Sequence, residues 1–351
     1  MDSEVNMKKD IRDLSFEEIS SLVELMGEPH HRAKQIFKWL YSKQALSFGE
    51  MTDVPKKLIQ ALENEFSVDN MLPEELAKSK DGTQKFLWKL SDGAHIESVM
   101  IPAKGRNTIC VSTQVGCKFR CPFCASGAGG YKRDLTPGEI VGQVLMVQRS
   151  LGERITNVVF MGMGEPLDNF PNLARAIRLI NGPEGLAIAA RKITVSTCGL
   201  VSGINKLKGI GLQVELAVSL HATNDRLRDV LVPVNRKYPL SELIAALMDY
   251  FEATGRVITL EYALIKDVND SSRDAENLAG IAKKIKAKVN LIRCNSWGVI
   301  GYDASTERTA ELFKKTVESR GIKATLRRSR GSDIAASCGQ LAAGHKFKQG
   351  E

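Results

Sequence analysis

The sequence has 351 residues, of which 43% are hydrophobic and 26% are charged, and its formal net charge is +8. This length and composition are typical of a soluble globular enzyme with one large and one small domain, and no internal repeat or low-complexity segment stands out. The first ten residues are too polar for a signal peptide, and no apolar run approaches the roughly 18–20 residues that span a bilayer. We therefore expect a cytoplasmic protein without membrane contact.

Charge is unevenly distributed along the chain. Residues 1–100 contain 13 Lys and Arg against 18 Asp and Glu, whereas residues 101–351 contain 36 against 23. A basic main domain favours a polyanionic partner, most commonly nucleic acid, although solvated helix faces would explain the charge equally well. Seven cysteines in a chain without a secretion signal indicate metal or redox chemistry rather than a disulfide scaffold.

We interpret residues 1–70 as a helical accessory domain. Ser15 and Glu18 form a capping box at the start of its first predicted helix. Further helical patterns cover about 31–43 and 55–66, and the last of these has proline in its first turn.

Residues 71–107 follow as a predicted β-hairpin extension, because the hydrophobic period changes there to two. A turn at 91–94 joins predicted strands at 85–90 and 95–101. Glu97 lies in the second of these strands, and alternation alone predicts that its side chain faces solvent.

Strands and amphipathic helices alternate through residues 108–341, which indicates a parallel α/β sheet. The predicted strands are 108–113, 155–161, 192–196, 213–219, 257–264 and 288–292. The predicted helices are 137–151, 170–180, 201–208, 240–254, 271–286 and 305–320. Six units without a G-x-G-x-x-G turn favour a partial (β/α)6 barrel over a Rossmann sheet. Residues 342–351 are predicted to be a flexible tail.

Three cysteines, Cys117, Cys121 and Cys124, follow the first barrel strand. Their spacing lets three thiolates converge on one metal centre, but the fourth ligand that structural zinc needs is missing nearby. A [4Fe–4S] cluster with three cysteine ligands would keep one iron open to bind another molecule. An iron–sulfur redox sensor that binds RNA and a zinc-binding RNA module are the alternatives.

The ends of the later strands carry polar residues, which a barrel gathers around one mouth. They are Gly164, Glu165, Ser196, Ser219, His221 and Asn295. Glu165 could hold an ammonium group, and the set suits a polar ligand with several hydrogen-bonding groups. Each residue alone is also common in turns.

Cys338 follows a group of cations near the end of the chain. These cations are Lys323, Arg327, Arg328 and Arg330. Cations beside a thiol lower its pKa, and they can also bind phosphates. Taken alone, both Cys338 and Cys110 would be interpreted as small buried residues.

Together these motifs resemble the RlmN/Cfr subfamily of radical S-adenosylmethionine (SAM) enzymes. The resemblance extends from about Ser15 to Leu341 and rests on Phe160–Pro166, Val195–Gly199, Ser219–Ala222, Pro233–Pro239 and Cys338–Leu341, together with the three-cysteine loop. The RlmN branch methylates C2 of adenine in 23S ribosomal RNA and in tRNA, whereas the Cfr branch methylates C8. The sequence Gly-Glu-Pro at 164–166 favours the RlmN branch.

The resemblance implies a role for each candidate residue. It implies cluster ligation by Cys117, Cys121 and Cys124. It implies SAM binding by Gly164, Glu165, Ser196, Ser219, Leu220, His221 and Asn295. It also implies that Cys338 is methylated, that Cys110 is its resolving partner and that Glu97 accepts a proton, which replaces the blander interpretations above.

The resemblance further implies two SAM molecules per turnover, one that methylates Cys338 and one that is cleaved to a radical. A transient protein–RNA adduct would be resolved by a disulfide, so an external electron donor and a thiol reductant are expected partners beside rRNA and tRNA. We expect a monomer. Ser126, Cys294 and Ser296 depart from the usual residues of the family, which bears on loop geometry rather than on the chemistry.

Overall fold

The computed structural model describes residues 8–68, 71, 73–297 and 302–342. The tail predicted at 342–351 lies outside the described residues beyond Ala342. The chain divides into two units by its internal contacts. The first unit comprises Met1–Leu72, Leu135–Ile155 and Pro171–Ala189, and the second comprises Pro73–Asp134, Thr156–Phe170 and Ala190–Glu351.

The described residues form eleven α-helices and fourteen strands. The helices are α1 (Phe16–Leu25), α2 (His31–Phe37), α3 (Lys56–Glu65), α4 (Ala125–Ala128), α5 (Pro137–Leu151), α6 (Phe170–Asn181), α7 (Val201–Lys208), α8 (Asp225–Leu231), α9 (Leu240–Thr254), α10 (Ser272–Lys284) and α11 (Glu307–Ser319). The strands are β1 (Lys9–Asp10), β2 (Phe66–Ser67), β3 (Pro73–Lys78), β4 (Gln84–Lys89), β5 (His95–Ala103), β6 (Arg106–Cys110), β7 (Gln114–Gly116), β8 (Tyr131–Asp134), β9 (Asn157–Phe160), β10 (Ile193–Thr197), β11 (Glu215–Ser219), β12 (Thr259–Leu264), β13 (Lys288–Arg293) and β14 (Ala324–Arg327).

The first unit has the predicted N-terminal helices. The capping box is present, because the Ser15 hydroxyl accepts the Glu18 N–H and the Glu18 carboxylate accepts the Ser15 N–H. The helix predicted at 31–43 is α2 followed by a π-helical turn at Lys38–Ser42. These short helices gain most of their stability from the apolar faces that they bury.

The second unit contains a ten-stranded sheet in the order β14-β13-β12-β11-β10-β9-β6-β5-β4-β3. Neighbouring strands are parallel from β6 through β9 to β14, and antiparallel from β3 to β6. The predicted hairpin is the β4–β5 pair. Among the described residues the sheet does not close on itself, so its parallel part forms a partial barrel of the predicted kind, with helices between its parallel strands.

One parallel strand, β14, was missed by the sequence analysis. It has only four residues, two of them the polar Thr325 and Arg327, so it carries too short an apolar pattern to identify. The parallel part of the sheet therefore has seven strands rather than six.

The core of the second unit lies against these strands. The strand side chains that are at most 1% exposed include Val158, Phe160, Ile193, Val195, Leu216, Val218, Leu260, Val289 and Leu291. Near-continuous burial is typical of a parallel sheet covered on both faces. No helix within the described residues is long and apolar enough to cross a bilayer.

Candidate active site

The three-cysteine loop is enclosed by a small antiparallel pair, β7 and β8. Gly116 ends β7 with φ +77°, and a Cβ there would lie 1.7 Å from the carbonyl oxygen of Gly130. Only glycine allows this close approach. The next residue, Cys117, donates its N–H to the same oxygen at 3.1 Å. The turn and this hydrogen bond therefore fix the backbone position of Cys117, the first cysteine of the loop.

Cys117, Cys121 and Cys124 line one cavity in the second unit. Burial raises the pKa of Cys117 to about 12, and it also raises the pKa of Cys121 and of Cys124, with further increases from the neighbouring thiols. Such a set suits a cationic iron centre, because the metal charge favours the thiolate forms that burial disfavours. In the described part of the chain, no group of three or more His, Cys, Asp or Glu side chains is placed to hold one single metal ion, as distinct from a cluster of several irons.

The same cavity collects most of the residues predicted at the strand ends. Its lining includes Gly164, Glu165, Ser196, Ser219, His221, Asn295 and Cys338. Leu220 is fully buried and is not part of this lining. Cys198 and Cys294 also line the cavity, although the sequence analysis assigned them no role.

Glu165 is held rigidly after β9 and is only 3% exposed. Its Oε1 accepts the N–H of Leu167 at 3.0 Å, and its Oε2 accepts the N–H of Cys198 at 2.7 Å. Burial raises the pKa of this carboxyl above its ordinary value. No lysine or arginine of the described residues forms an ion pair with it, so the carboxylate suits a cationic ligand group.

The glycine before Glu165 is required by the backbone. Gly164 has φ +94°, and a Cβ there would lie 2.5 Å from the Cβ of Gln114. The Gln114 Oε1 accepts the N–H of Glu165 at 2.9 Å. The Gly-Glu pair is thus fitted against the strand that leads into the cysteine loop.

His221 faces the cavity as a neutral imidazole. Burial lowers its pKa to about 3. The N–H of Ala263 donates to His221 Nδ1 at 3.0 Å, so the proton of the neutral ring is on Nε2. The backbone is held at φ +56° with its carbonyl accepting Asn269 Nδ2 at 2.8 Å, a strained conformation of the kind found at ligand sites.

A buried arginine that the sequence analysis missed braces two of the strand ends. The guanidinium of Arg228 is fully buried and donates to the carbonyl oxygens of Leu220 at 3.1 Å, Cys198 at 2.7 Å and Ser219 at 3.3 Å. It also donates to Asn235 Oδ1 at 2.9 Å. In the sequence, only its partner Asn235 pointed to this region, because Asn235 lies in the stretch Pro233–Pro239 that resembles the family.

The segment that carries Cys338 is fastened to the cysteine loop. The N–H of Ala125 donates to the Gly339 carbonyl at 2.7 Å, and the Ser126 hydroxyl donates to the Leu341 carbonyl at 2.8 Å. Asn295 Nδ2 donates to the Cys338 carbonyl at 3.2 Å. The carbonyl of Ser296 accepts the side-chain amide N–H of Gln340 at 2.9 Å. Ser126 and Ser296, two of the three departures from the family pattern, therefore both contact this segment.

Cys338 and Cys110 meet at a second, smaller cavity. Its lining includes both cysteines together with Met161, Arg327 and Leu341. Burial raises the pKa of Cys110 to about 12, and the Cys338 thiol adds to that shift. Arg327 lowers the pKa of Cys338, as expected of a nearby cation, but desolvation outweighs it and raises the pKa overall, although the residue as a whole is exposed. All seven cysteines are free.

The expectation that Glu97 faces solvent is also wrong. Glu97 is 4% exposed because β5 is an inner strand, buried on both faces over much of its length. Its Oε1 lies 3.1 Å from Lys85 Nζ, and its Oε2 accepts the N–H of Ala342 at 2.7 Å. Glu97 is therefore buried against the segment that carries Cys338.

Residues 111–279 match the radical SAM superfamily, and residues 9–68 match the N-terminal domain of ribosomal RNA large subunit methyltransferases. A probable dual-specificity RNA methyltransferase RlmN of Pelotomaculum thermopropionicum is 48% identical over 94% of this chain and 90% of its own length. A Clostridium perfringens protein of the same name is 45% identical over 95% and 96%. The crystal structure of a radical SAM methyltransferase from Sphaerobacter thermophilus has a TM-score of 0.91 at 43% identity, covering 95% of this chain and 99% of that one.

Proposed function

The chain belongs to the RlmN family of radical SAM RNA methyltransferases, and on that premise we propose that it methylates C2 of adenine in 23S ribosomal RNA and in the tRNA anticodon loop. Membership implies a [4Fe–4S] cluster and SAM. The observation that carries the proposal is the presence of Cys110 and Cys338 at one cavity beside the cysteine loop. C2 of adenine is not nucleophilic, so its methylation needs a carrier of this kind rather than direct displacement from SAM.

The cavity residues would hold the cofactors. Cys117, Cys121 and Cys124 would bind three irons, and the fourth iron would remain open for the amino-acid end of SAM. The Glu165 carboxylate, which lacks a cationic partner in the described residues, would accept the SAM ammonium group. Gly164, Ser196, Asn295 and the backbone of Ser219–His221 would supply the remaining contacts. When bound, the cluster would provide the electron that cleaves SAM to a 5′-deoxyadenosyl radical.

The two other cysteines and Glu97 would perform the transfer. The Cys338 thiolate would displace the methyl group from a first SAM, and the methylthio group would lose a hydrogen atom to the radical from a second. After the carbon adds to C2, the adduct radical would lose its unpaired electron to the cluster, and Glu97 would take the C2 proton. Cys110 would then attack the Cys338 sulfur and release methylated RNA with a disulfide, which an external thiol reductant returns to two thiols.

RNA as the substrate is supported by the relatives named as dual-specificity RNA methyltransferases. The match of residues 9–68 to the N-terminal domain of ribosomal RNA methyltransferases supports an RNA-recognition role for the first helices. Reaching an adenine in RNA requires unstacking it, which costs a few kcal/mol. Phosphate contacts from Arg328 and Arg330 would offset that cost.

The product identifies the reaction. RNA treated with reconstituted enzyme, SAM and a reductant is digested, and the modified adenine is identified by mass spectrometry. We expect 2-methyladenine. An 8-methyl product would instead support the Cfr-type activity, whereas RNA binding without any 5′-deoxyadenosine would support a redox sensor.

The role of Cys110 predicts a trapped intermediate. Cys110→Ala blocks resolution, so a covalent protein–RNA adduct should accumulate and should be visible as a mass or gel shift. Cys338→Ala is the matched control, since it should form no adduct while it retains its iron. Normal turnover of the Cys110 variant would contradict the role, and loss of iron from the Cys338 variant would make Cys338 a ligand instead.

A further inference from the structure

Glu261 is a buried carboxyl group to which the proposed function gives no task. It lies in β12, is 7% exposed, and lines the same cavity as Cys338. The strand registers place it in one row with Ser219 of β11, Asn290 of β13 and Thr325 of β14. A carboxyl group inside a sheet is costly unless the surrounding residues are arranged to receive it.

The row is hydrogen-bonded in one direction. The Thr325 hydroxyl donates to Asn290 Oδ1 at 2.9 Å, which turns the Asn290 amide so that its Nδ2 donates to Glu261 Oε2 at 2.7 Å. Among the described residues, no hydrogen bond reaches Glu261 Oε1 and no lysine or arginine forms an ion pair with this carboxyl. One oxygen is thus fixed by the sheet, and the other remains able to accept a proton.

Opposing effects set the pKa of Glu261. Burial raises its pKa to about 7, while the Asn290 amide, Arg327 on β14 and Lys288 on β13 oppose that shift. Ser219 at the end of β11, the neutral His221 just after it, and Cys338 of the C-terminal segment also line the cavity. A carboxyl that titrates near the working pH can both take and return a proton.

We propose that Glu261 accepts the thiol proton of Cys338 when Cys338 takes a methyl group from SAM. The S–H electron pair of Cys338 becomes the new S–CH3 bond, and the proton moves to Glu261. The CH3–S bond of SAM breaks with its electron pair remaining on sulfur, which gives S-adenosylhomocysteine. Glu261 then returns the proton to solvent, so no oxidant or reductant is consumed. This inference rests on the proposed function, in which Glu97 serves a different proton, that of the RNA base.

The test follows the first methyl transfer alone. Reconstituted enzyme is mixed with SAM that carries a trideuteromethyl group, without RNA, and the peptide between Arg330 and Lys346 is followed by mass spectrometry across pH. In the unaltered protein the rate should rise about tenfold per pH unit up to an inflection near 7. Glu261→Gln, which can still accept from Asn290, should lower the rate on the order of 100-fold and remove the inflection.

Two further variants separate this role from a structural one. Asn290→Leu removes a bond that lowers the pKa of Glu261, so the inflection should move to higher pH. Glu215→Gln, on β11 and paired with Arg256 outside the cavity lining, is the matched control and should change nothing. Alkylation of Cys338 by iodoacetamide, measured without SAM on the same peptide, should show the same pH dependence and the same loss in Glu261→Gln.

The outcomes distinguish the two proposals. If the unaltered protein never places label on Cys338, the proposed function fails and this inference fails with it. If the label appears but Glu261→Gln transfers it at an unchanged rate and pH profile, only the role of Glu261 is overturned. Loss of equilibrium SAM binding in Glu261→Gln would also overturn it, because the carboxylate would then be a SAM contact.

Discussion

His221 and Arg228 illustrate what a single residue in a sequence does and does not reveal. His221 follows a strand and was predicted at the site, yet its strained backbone and low pKa depend on the residues that surround it. Arg228 was missed because an arginine in a short helix is most often a solvated cation. Its burial follows from three carbonyl oxygens that only the folded strand ends bring together.

The low pKa of His221 predicts a pH-dependent stability. Its folded pKa of about 3 lies below the unfolded value of 6.5, so the unfolded chain binds a proton that the folded chain does not. Stability should therefore fall as pH decreases from 6.5 towards 3, by about 2 kcal/mol at pH 5. In His221→Asn, which tolerates the same backbone conformation, this contribution should be absent. Urea unfolding of both proteins at pH 7 and pH 5 measures it. An equal loss of unfolding free energy between pH 7 and pH 5 in the two proteins would contradict the assignment.

At the level of elements, the parallel strands and their helices were predictable because each repeats a hydrophobic pattern over many residues. The short elements were not. β14 has four residues, and β7 with β8 pairs across the cysteine loop through a turn that depends on Gly116. Glu97 was placed on the wrong side for a related reason, since alternation identifies a solvent face only when a strand has one.

The β7–β8 pair predicts which glycine is indispensable. Gly116 and Gly93 have nearly the same φ, +77° and +79°, but a Cβ at Gly93 would meet nothing within 4 Å. Gly93→Ala should therefore cost only about 1 kcal/mol of conformational strain. Gly116→Ala should cost about 3 kcal/mol or more, because the Gly130 carbonyl must move.

Both variants are compared by urea unfolding and by iron bound after reconstitution. Gly116→Ala should bind less iron than the unaltered protein, and Gly93→Ala should bind the same amount. Full iron content in Gly116→Ala would mean that the cysteine loop does not depend on this turn.

Over the whole molecule, composition indicated an enzyme and charge indicated a polyanionic partner, but neither indicated which surface would bind that partner. The positive balance belongs to residues 101–351, and exposed Arg328 and Arg330 directly precede the segment that carries Cys338. Most residues of the cavity lining could be predicted because motifs mark the strand ends, although Leu220 was also named and does not line the cavity. The second thiol pair was not evident from spacing, since Cys110 and Cys338 are far apart in sequence and line one cavity only in the folded chain.

The exposed cations predict a salt-dependent effect on RNA binding. Arg328→Gln removes one phosphate contact, so RNA affinity should fall and the slope of log affinity against log salt should decrease by about 0.7. Methyl transfer to Cys338 without RNA should be unchanged. Lys284→Gln, an exposed residue of α10, is the matched control. An unchanged slope in Arg328→Gln, measured by fluorescence anisotropy, would place the RNA elsewhere.

The two hydrogen bonds from Ala125 and Ser126 to the segment of Cys338 have a consequence for tolerance to change. They hold the three-cysteine loop and the segment of Cys338 in a fixed relative position, although more than two hundred residues separate the two in sequence. Insertions between the two segments should be tolerated only where they do not disturb these two hydrogen bonds, in the connections between strands and helices. Variation in length should therefore be concentrated in those connections, while the spacing on either side of the junction stays constant.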